Sequence, residues 1–347
     1  MKTYRVIQWA TGTVGKVAIR HFAENPVFEL AGVWVSSEAK AGKDAGEIAG
    51  IAPLGVLATN DAEALIAAEA DCVHFTPAVQ DIDLVCRLLR SGKNVVSSVG
   101  PYYRTERFRH EWEPIEAACR DGGTTFHGCG IHPGFAGDLL PLTLARVMER
   151  IDHIHVYEVI DHLANPSNYI SFMGFGRECA DLLANPSRSA EAPYFFAQSM
   201  ALVLESLGCT IDDLTTELEV AAATSDIAYP GGVVKQGTVA GQHYEWTAWS
   251  GGKPRMTYHC YWVMGREGMA PQWDCGESGY RVRFEGNPPM EVTMGRPKAG
   301  QGGERYLGLP WTAMAGVNTI AAVCDHPPGF VTHLDLGLIG PKGLIRG

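Results

Sequence analysis

The run YRVIQWATGTVG at positions 4–15 limits what this chain can fold into more than any other stretch. Tyr4 to Trp9 reads as a short buried strand, and a turn of small residues follows it. From Thr13 a helix begins, with apolar Val14, Val17, Ala18 and Phe22 on one face, and Asn25-Pro26 stops it. The same alternation continues down the chain. Strands are expected at 30–35, 71–75, 94–99 and 124–127, and helices at 61–70, 82–89 and 112–119. Alternating strands and helices predict a parallel sheet with right-handed crossovers, whose binding site lies at the carboxyl ends of the strands.

The pattern changes after Gly137. A helix is expected over 139–151, a strand over 153–161, mostly helix over 170–218, then antiparallel strands at 244–249, 256–263 and 280–285. Residues 297–304 are glycine-rich and read as a mobile loop, and an apolar helix at 311–323 ends at His326-Pro327-Pro328. The expected fold class is α/β: an N-terminal Rossmann doubly wound parallel sheet (1–137), a second α+β domain on a mostly antiparallel sheet (138–305), and a return segment (306–347) packing on the first domain.

Ala10-Thr11-Gly12-Thr13-Val14-Gly15 has the form of a G-x-G-x-x-G fingerprint with Ala10 in the first glycine slot. Gly12 would let the backbone approach a pyrophosphate, Gly15 would let the helix pack closely on the sheet, and the amides at Gly12 to Val14 would face the anion. A dinucleotide is therefore expected. At the end of the second strand Ser36 and Ser37 stand where an NAD site usually has a carboxylate, with Lys40 and Lys43 close by. That pattern favours NADP, although Glu38 leaves NAD open. Thr76-Pro77-Ala78 and Ser98-Val99-Gly100 end the third and fourth strands and are expected to line the ribose and nicotinamide.

Composition removes other classes. The chain has 28 basic and 39 acidic side chains, a net charge of −11 and no basic run, which argues against nucleic acid. No apolar stretch is long enough to span a bilayer, and no signal-peptide pattern is visible. The nine cysteines include no C-x-x-C pair, as expected of reduced thiols in the cytoplasm. His127, Cys129 and His132 lie close in sequence, but no carboxylate joins them and no metal is expected.

The WATGTVG opening, the FTPA turn, the GKNVVSS strand, GCGIHPGFAGDLLPL and WTAMAGVNTIAAVCDHPPG resemble the dihydrodipicolinate reductase-like superfamily. Within it the nearest likeness is to the 2,4-diaminopentanoate dehydrogenase and native amine dehydrogenase branch. The resemblance implies NAD(P), a homodimer, and oxidation or reduction at a C–N centre. It also implies contact of Gly130, in the GCGIHPGF turn, with the cofactor. The chain departs from it in three places. YEVIDHLANPSNY lacks the lysine of dihydrodipicolinate reductases. Val99 to Tyr103 holds no glutamate where amine dehydrogenases carry one. His132 stands where the family suggests Asn.

Hydride transfer needs a group that moves or steadies a proton. The candidates are the phenol of Tyr102, the imidazole of His132 and the carboxylate of Glu106. Tyr169, Phe172, Met173 and Phe175 could cap an apolar substrate, with Tyr157, Glu158 and Asp161 on the preceding strand as further candidates. Trp246, Trp249 and Trp262 read as sheet core or dimer interface. The expected activity is amine dehydrogenase-like, on a small apolar ketone, imine or amine. A carbonyl or cyclic-imine reductase that does not use ammonia, and a non-catalytic NADP-binding sensor, remain open at this point.

Overall fold

The structure, a computed structural model, describes residues 2–165, 168–186, 192–295 and 308–345. The chain forms two compact units: the residues up to Gly134 with those from Leu309 onward, and Phe135–Gly308.

In the first unit, strands β1 (Tyr4–Trp9), β2 (Phe28–Trp34), β3 (Ala58–Thr59), β4 (Cys72–Phe75), β5 (Asn94–Ser97) and β6 (Thr125–Gly128) join a C-terminal strand, Gly329–Val331. All seven run parallel, in the order C-terminal strand, β6, β5, β4, β1, β2, β3. The sheet winds outward in both directions from the β1–β4 pair, so the ligand crevice of such a fold opens at their carboxyl ends. Both faces are covered, which is why these strands read as nearly continuous apolar runs. Ile7, Val73 and Val95 pack beneath α4 (Ile82–Arg90) and α5 (Arg109–Gly122), through Val85, Leu88, Leu89 and Ile115. Their neighbours Val6, Cys72 and Val96 point the other way, onto Ala18 and Phe22 of α1 (Thr13–Glu24) and onto Val317, Ile320 and Val323. The helix expected over 311–323 is two helices, Gly308–Val317 and Ile320–Asp325.

The second unit begins with a turn of π-helix, Phe135–Leu139, and a short helix, Leu140–Ala145. Its seven-stranded sheet contains β7 (Arg150–Asp161), β8 (Asp213–Ala223), β11 (Val239–Ser250), β12 (Lys253–Val263), β13 (Met269–Ala270), β14 (Gly279–Asn287) and β15 (Met290–Gly295), while β9 (Ile227–Tyr229) and β10 (Gly232–Val234) form a separate hairpin. The order is β13-β8-β11-β12-β7-β14-β15, antiparallel except for the parallel β12–β7 pair. One face lies under the helix Ala192–Ser206, whose Phe196 packs 4.8 Å from Trp246 and edge-on to Tyr258.

Two expectations fail here. The helix over 139–151 stops at Ala145, because Arg150 and Ile151 pair with Asn287 and Gly286 of β14. Residues 213–218 belong to β8, which pairs with β11 along its length. In both cases a partner strand distant in sequence outweighs local helical pattern. The loop at 297–304 lies outside the described residues. No described helix is long and apolar enough to cross a membrane. The fold is thus α/β, a Rossmann-type parallel sheet with a second α+β unit.

Candidate functional site

The turn between β1 and α1 is held in an unusual conformation. Ala10 has φ of 75°, and it is the one non-glycine residue with positive φ among the described residues. That left-handed region costs an L-residue about 1–2 kcal/mol. The fully buried Gln8 holds the turn: its Nε2 donates to the Ala10 carbonyl at 3.0 Å and to Thr76 Oγ1 at 2.9 Å. Its Oε1 accepts from His74 Nδ1 at 2.8 Å. Burial pushes the His74 imidazole down to about 3, so it is neutral at pH 7 and acts as a donor to Gln8. Neither Gln8 nor His74 was singled out from sequence, because their partnership joins two strands 66 residues apart.

Gly12 precedes the first turn of α1 in an extended conformation, with no side-chain cap and no acidic residue in that turn. The leading amides therefore remain available to an anion. A Cβ placed on Gly12 would meet nothing within 4 Å, so a ligand can approach the bare backbone. At Gly15 a Cβ would lie 2.1 Å from the Ala10 carbonyl oxygen, because helix and turn pack backbone to backbone there. The two glycines fit a diphosphate cradle in different ways: one leaves room for the ligand and the other closes the wall. Thr13 and Val14 complete the first turn.

Around this turn, Ser36, Ser37 and Glu38 are exposed just beyond β2. Lys40 Nζ reaches back to Thr11, 3.2 Å from its Oγ1 and 3.3 Å from its carbonyl oxygen. Burial, and then the nearby Lys16 charge, hold the Lys40 ammonium below its usual range. Beyond β4, the Thr76 amide and hydroxyl both donate to the Trp9 carbonyl, each at 3.1 Å, and Pro77 and Ala78 follow at the surface. Beyond β5, the Ser98 amide donates to Phe75 at 3.0 Å and the Val99 amide to Ser97 Oγ at 3.2 Å. Gly100 has φ of +77°, with the Tyr102 ring 2.9 Å from where a Cβ would stand.

The three proton-carrier candidates fare differently. The Tyr102 hydroxyl donates to the Ser98 carbonyl at 2.8 Å and the side chain is buried. Donation to a substrate would break that bond. Glu106 is exposed and paired with Arg109 at 2.6 Å, and that hydrogen bond holds its carboxyl below the usual range. The expectation that Glu106 is a proton carrier is corrected accordingly: it is a solvated ion pair at a helix start. His132 sits in a tight turn in which Gly130 and Ile131 bridge to Gly134. The grouping of Cys129 with His132 also changes. Cys129 Sγ lies 3.7 Å from His333 Nε2, and the His127 ring meets His333 edge-on at 4.8 Å. Burial pushes His333 down to about 4.

In the second unit Met173 and Phe175 are buried, whereas Phe172 is 65 % exposed, which does not suit a substrate cap. The side chain of Tyr169 lies outside the described residues. The Met173 carbonyl accepts from the buried Gln242 at 2.8 Å, and Phe175 packs 5.6 Å from His162, itself pushed by burial to about 3. Glu158 is buried and accepts from Trp262 Nε1 at 2.7 Å. Strand alternation turns Tyr157 to the opposite face, beside His259 at 4.5 Å, so it is not gathered with Met173 and Phe175 as expected. Trp246 and Trp262 are sheet core, and the Trp249 indole bonds Thr215 at the surface.

The chain resembles known proteins over nearly its whole length. The family model described as dihydrodipicolinate reductase, N-terminus, matches residues 6–100. The model described as 2,4-diaminopentanoate dehydrogenase C-terminal domain matches residues 135–345. A Streptomyces virginiae protein named amine dehydrogenase is 30 % identical over 353 residues, covering 96 % of each chain. The solved structure of an amine dehydrogenase from Mycobacterium smegmatis superposes with a TM-score of 0.81 at 18 % identity, over 99 % of this chain and 98 % of that one. GenD2 from gentamicin A biosynthesis, solved in complex with NAD, gives a TM-score of 0.57 at 15 % identity, over 97 % and 90 %. These two structural likenesses speak for the fold. On the family models and the curated relative together, the chain belongs to the 2,4-diaminopentanoate dehydrogenase family of the dihydrodipicolinate reductase-like superfamily and is an NAD(P)-dependent oxidoreductase.

Proposed function

We propose that the protein is an NADP-preferring, amine dehydrogenase-like enzyme that moves hydride between the nicotinamide and a small, mostly apolar ketone, imine or amine. The observation that carries the reading is the Ala10–Gly15 turn, with its uncapped helix start, the open space at Gly12 and the closed wall at Gly15. The preference for NADP rests on Lys40, whose ammonium lies beside Thr11 and feels the like charge of Lys16, and on the two serines after β2. A 2′-phosphate would relieve that repulsion, whereas a 2′-hydroxyl would not. The bound nicotinamide supplies or takes the hydride.

Among the candidates, His132 is the proton carrier this reading favours, from its place in the turn that follows β6 at the carboxyl end of the parallel sheet. Met173 and Phe175 supply buried apolar surface in the second unit, in keeping with an apolar substrate. A cytoplasmic homodimer completes the proposal. The described cysteines form no disulfide, which suits a reducing compartment.

One observation favours a second reading. The stretch from Val99 to Thr105 holds no carboxylate to meet an ammonium, and Glu106 is tied to Arg109. A carbonyl or cyclic-imine reductase needs no such group. NADPH oxidation with a panel of small ketones, with and without ammonium, separates the two. The amine reading expects turnover that rises with ammonium concentration, and turnover indifferent to ammonium would leave the reductase.

A further inference from the structure

The face of the second sheet opposite Glu158 carries imidazoles for which the hydride chemistry has no use. Strand register aligns Glu217, Glu245, His259 and Tyr157 in one row across β8, β11, β12 and β7, and Glu219, His243 and Tyr261 in the next. Aromatic partners fix the ring planes. His243 stacks on Tyr261 at 3.9 Å and 6°, and His259 on Tyr157 at 4.5 Å and 12°.

We infer that His243, Glu245 and His259 form a binding site for one divalent transition-metal ion of the zinc, cobalt or nickel class. One ligand atom from each lies within 4.8 Å of the others. Glu245 Oε2 is 3.2 Å from His259 Nδ1. That is close to the spacing, roughly 3.3 Å, of two ligands sharing a tetrahedral ion at about 2.0–2.1 Å. His243, whose ligand atom lies within 4.8 Å of the other two, completes the set by closing to that spacing.

The hydrogen inventory points the same way. His243 Nδ1 lies 3.4 Å from Glu219 Oε2 and donates to it, which leaves Nε2 buried, with a lone pair and no hydrogen-bond partner. His259 Nε2 lies 3.1 Å from His155 Nδ1, whose other nitrogen is 3.2 Å from Glu285 Oε1. With the His259 hydrogen on Nε2, donated to His155 Nδ1, the Nδ1 lone pair of His259 is free beside Glu245. One tautomer of each ring therefore bonds the group behind it, Glu219 for His243 and His155 for His259, and offers a lone pair in front, the arrangement that orients metal-bound histidines.

Charge also selects this corner. Strand register sets Glu217 beside Glu245 and Glu219 beside His243, so like charges crowd it. A cation would relieve that crowding. A neighbouring group, His153, His155 and Glu285, also brings two imidazoles to a carboxylate, but Arg283 already donates to Glu285 at 2.9 Å. A cation built into the chain fills that position, so the ion belongs on the His243 side.

The test starts from chelator-treated whole protein titrated with Zn²⁺, and with Co²⁺ for its visible ligand-field bands. The inference expects one ion per chain with tetrahedral cobalt bands and a raised melting temperature. His243→Ala and Glu245→Gln should each weaken binding by at least about tenfold, equivalent to ~1.4 kcal/mol. His153→Ala should leave the affinity near wild type. Melting of the metal-free variants shows whether each is folded, and Glu245→Gln, which keeps size and shape, covers a failure of His243→Ala. Three results would overturn the site: no stoichiometric ion, an affinity indifferent to both substitutions, or a Glu245→Gln protein altered only in oligomeric state. The last would give this face to a second copy of the chain.

Discussion

Ala10 occupies backbone space that glycine enters without steric cost and alanine does not. The sequence marks the position, since Ala10 fills the first slot of the fingerprint, but it does not show that the slot keeps the left-handed conformation under an alanine. That follows from Gln8, which pins the Ala10 carbonyl from beneath. Ala10→Gly relieves about 1–2 kcal/mol of strain and restores some freedom to the unfolded chain, which opposes the gain. The variant should be more stable by roughly 0.5–1 kcal/mol in urea unfolding, with cofactor affinity near wild type. A destabilised Ala10→Gly would mean that the alanine methyl makes a contact worth more than its strain.

Elements with enough residues to show a period were legible in sequence, and those set by distant partners were not. β1, α1, β4 and α4 carry their own patterns: continuous apolar runs for strands covered on both faces, and apolar residues at helical spacing for the helices. β3 has two residues and the C-terminal strand Gly329–Val331 three, too few for any periodicity. Those strands exist because a neighbouring edge accepts their backbone hydrogen bonds. Residues 213–218 of β8 read as helix because Leu214, Glu217 and Leu218 fall at helical spacing, and their true state is fixed by β11. The site divides in the same way. The Ala10–Gly15 turn is local and readable, whereas Gln8 with His74, Lys40 with Thr11, and Cys129 with His333 meet only after folding. The imidazole rows on the second sheet escape for the same reason, since His243 and His259 come from different strands.

At the scale of the whole molecule, buried imidazoles tie stability to pH. His74, His162 and His259 are pushed to about 3, and His155 and His333 to about 4, chiefly by burial. An unfolded histidine titrates near 6.5. Each folded value lies below the unfolded one, so the stability these rings lend is complete above about pH 6.5 and is lost as the pH falls toward 3–4. The slope approaches about 1.4 kcal/mol per pH unit for each ring that the unfolded chain protonates and the folded chain does not. The melting temperature should therefore fall steadily from pH 7 to pH 5. A flat profile over that interval would show that these rings bind protons in the folded state.

The central claim is that the bare backbone at Gly12 receives the diphosphate of NADPH, and its most direct measurement compares NADPH binding to the wild type and to Gly12→Ala by nicotinamide fluorescence. A Cβ at this position meets no protein atom, so the variant should fold and melt like the wild type. Its methyl nevertheless enters the space reserved for the phosphate, and affinity should drop by at least about tenfold, ~1.4 kcal/mol. Equal affinity in the two proteins, or a wild type that shows no saturable binding of NADPH, would contradict it.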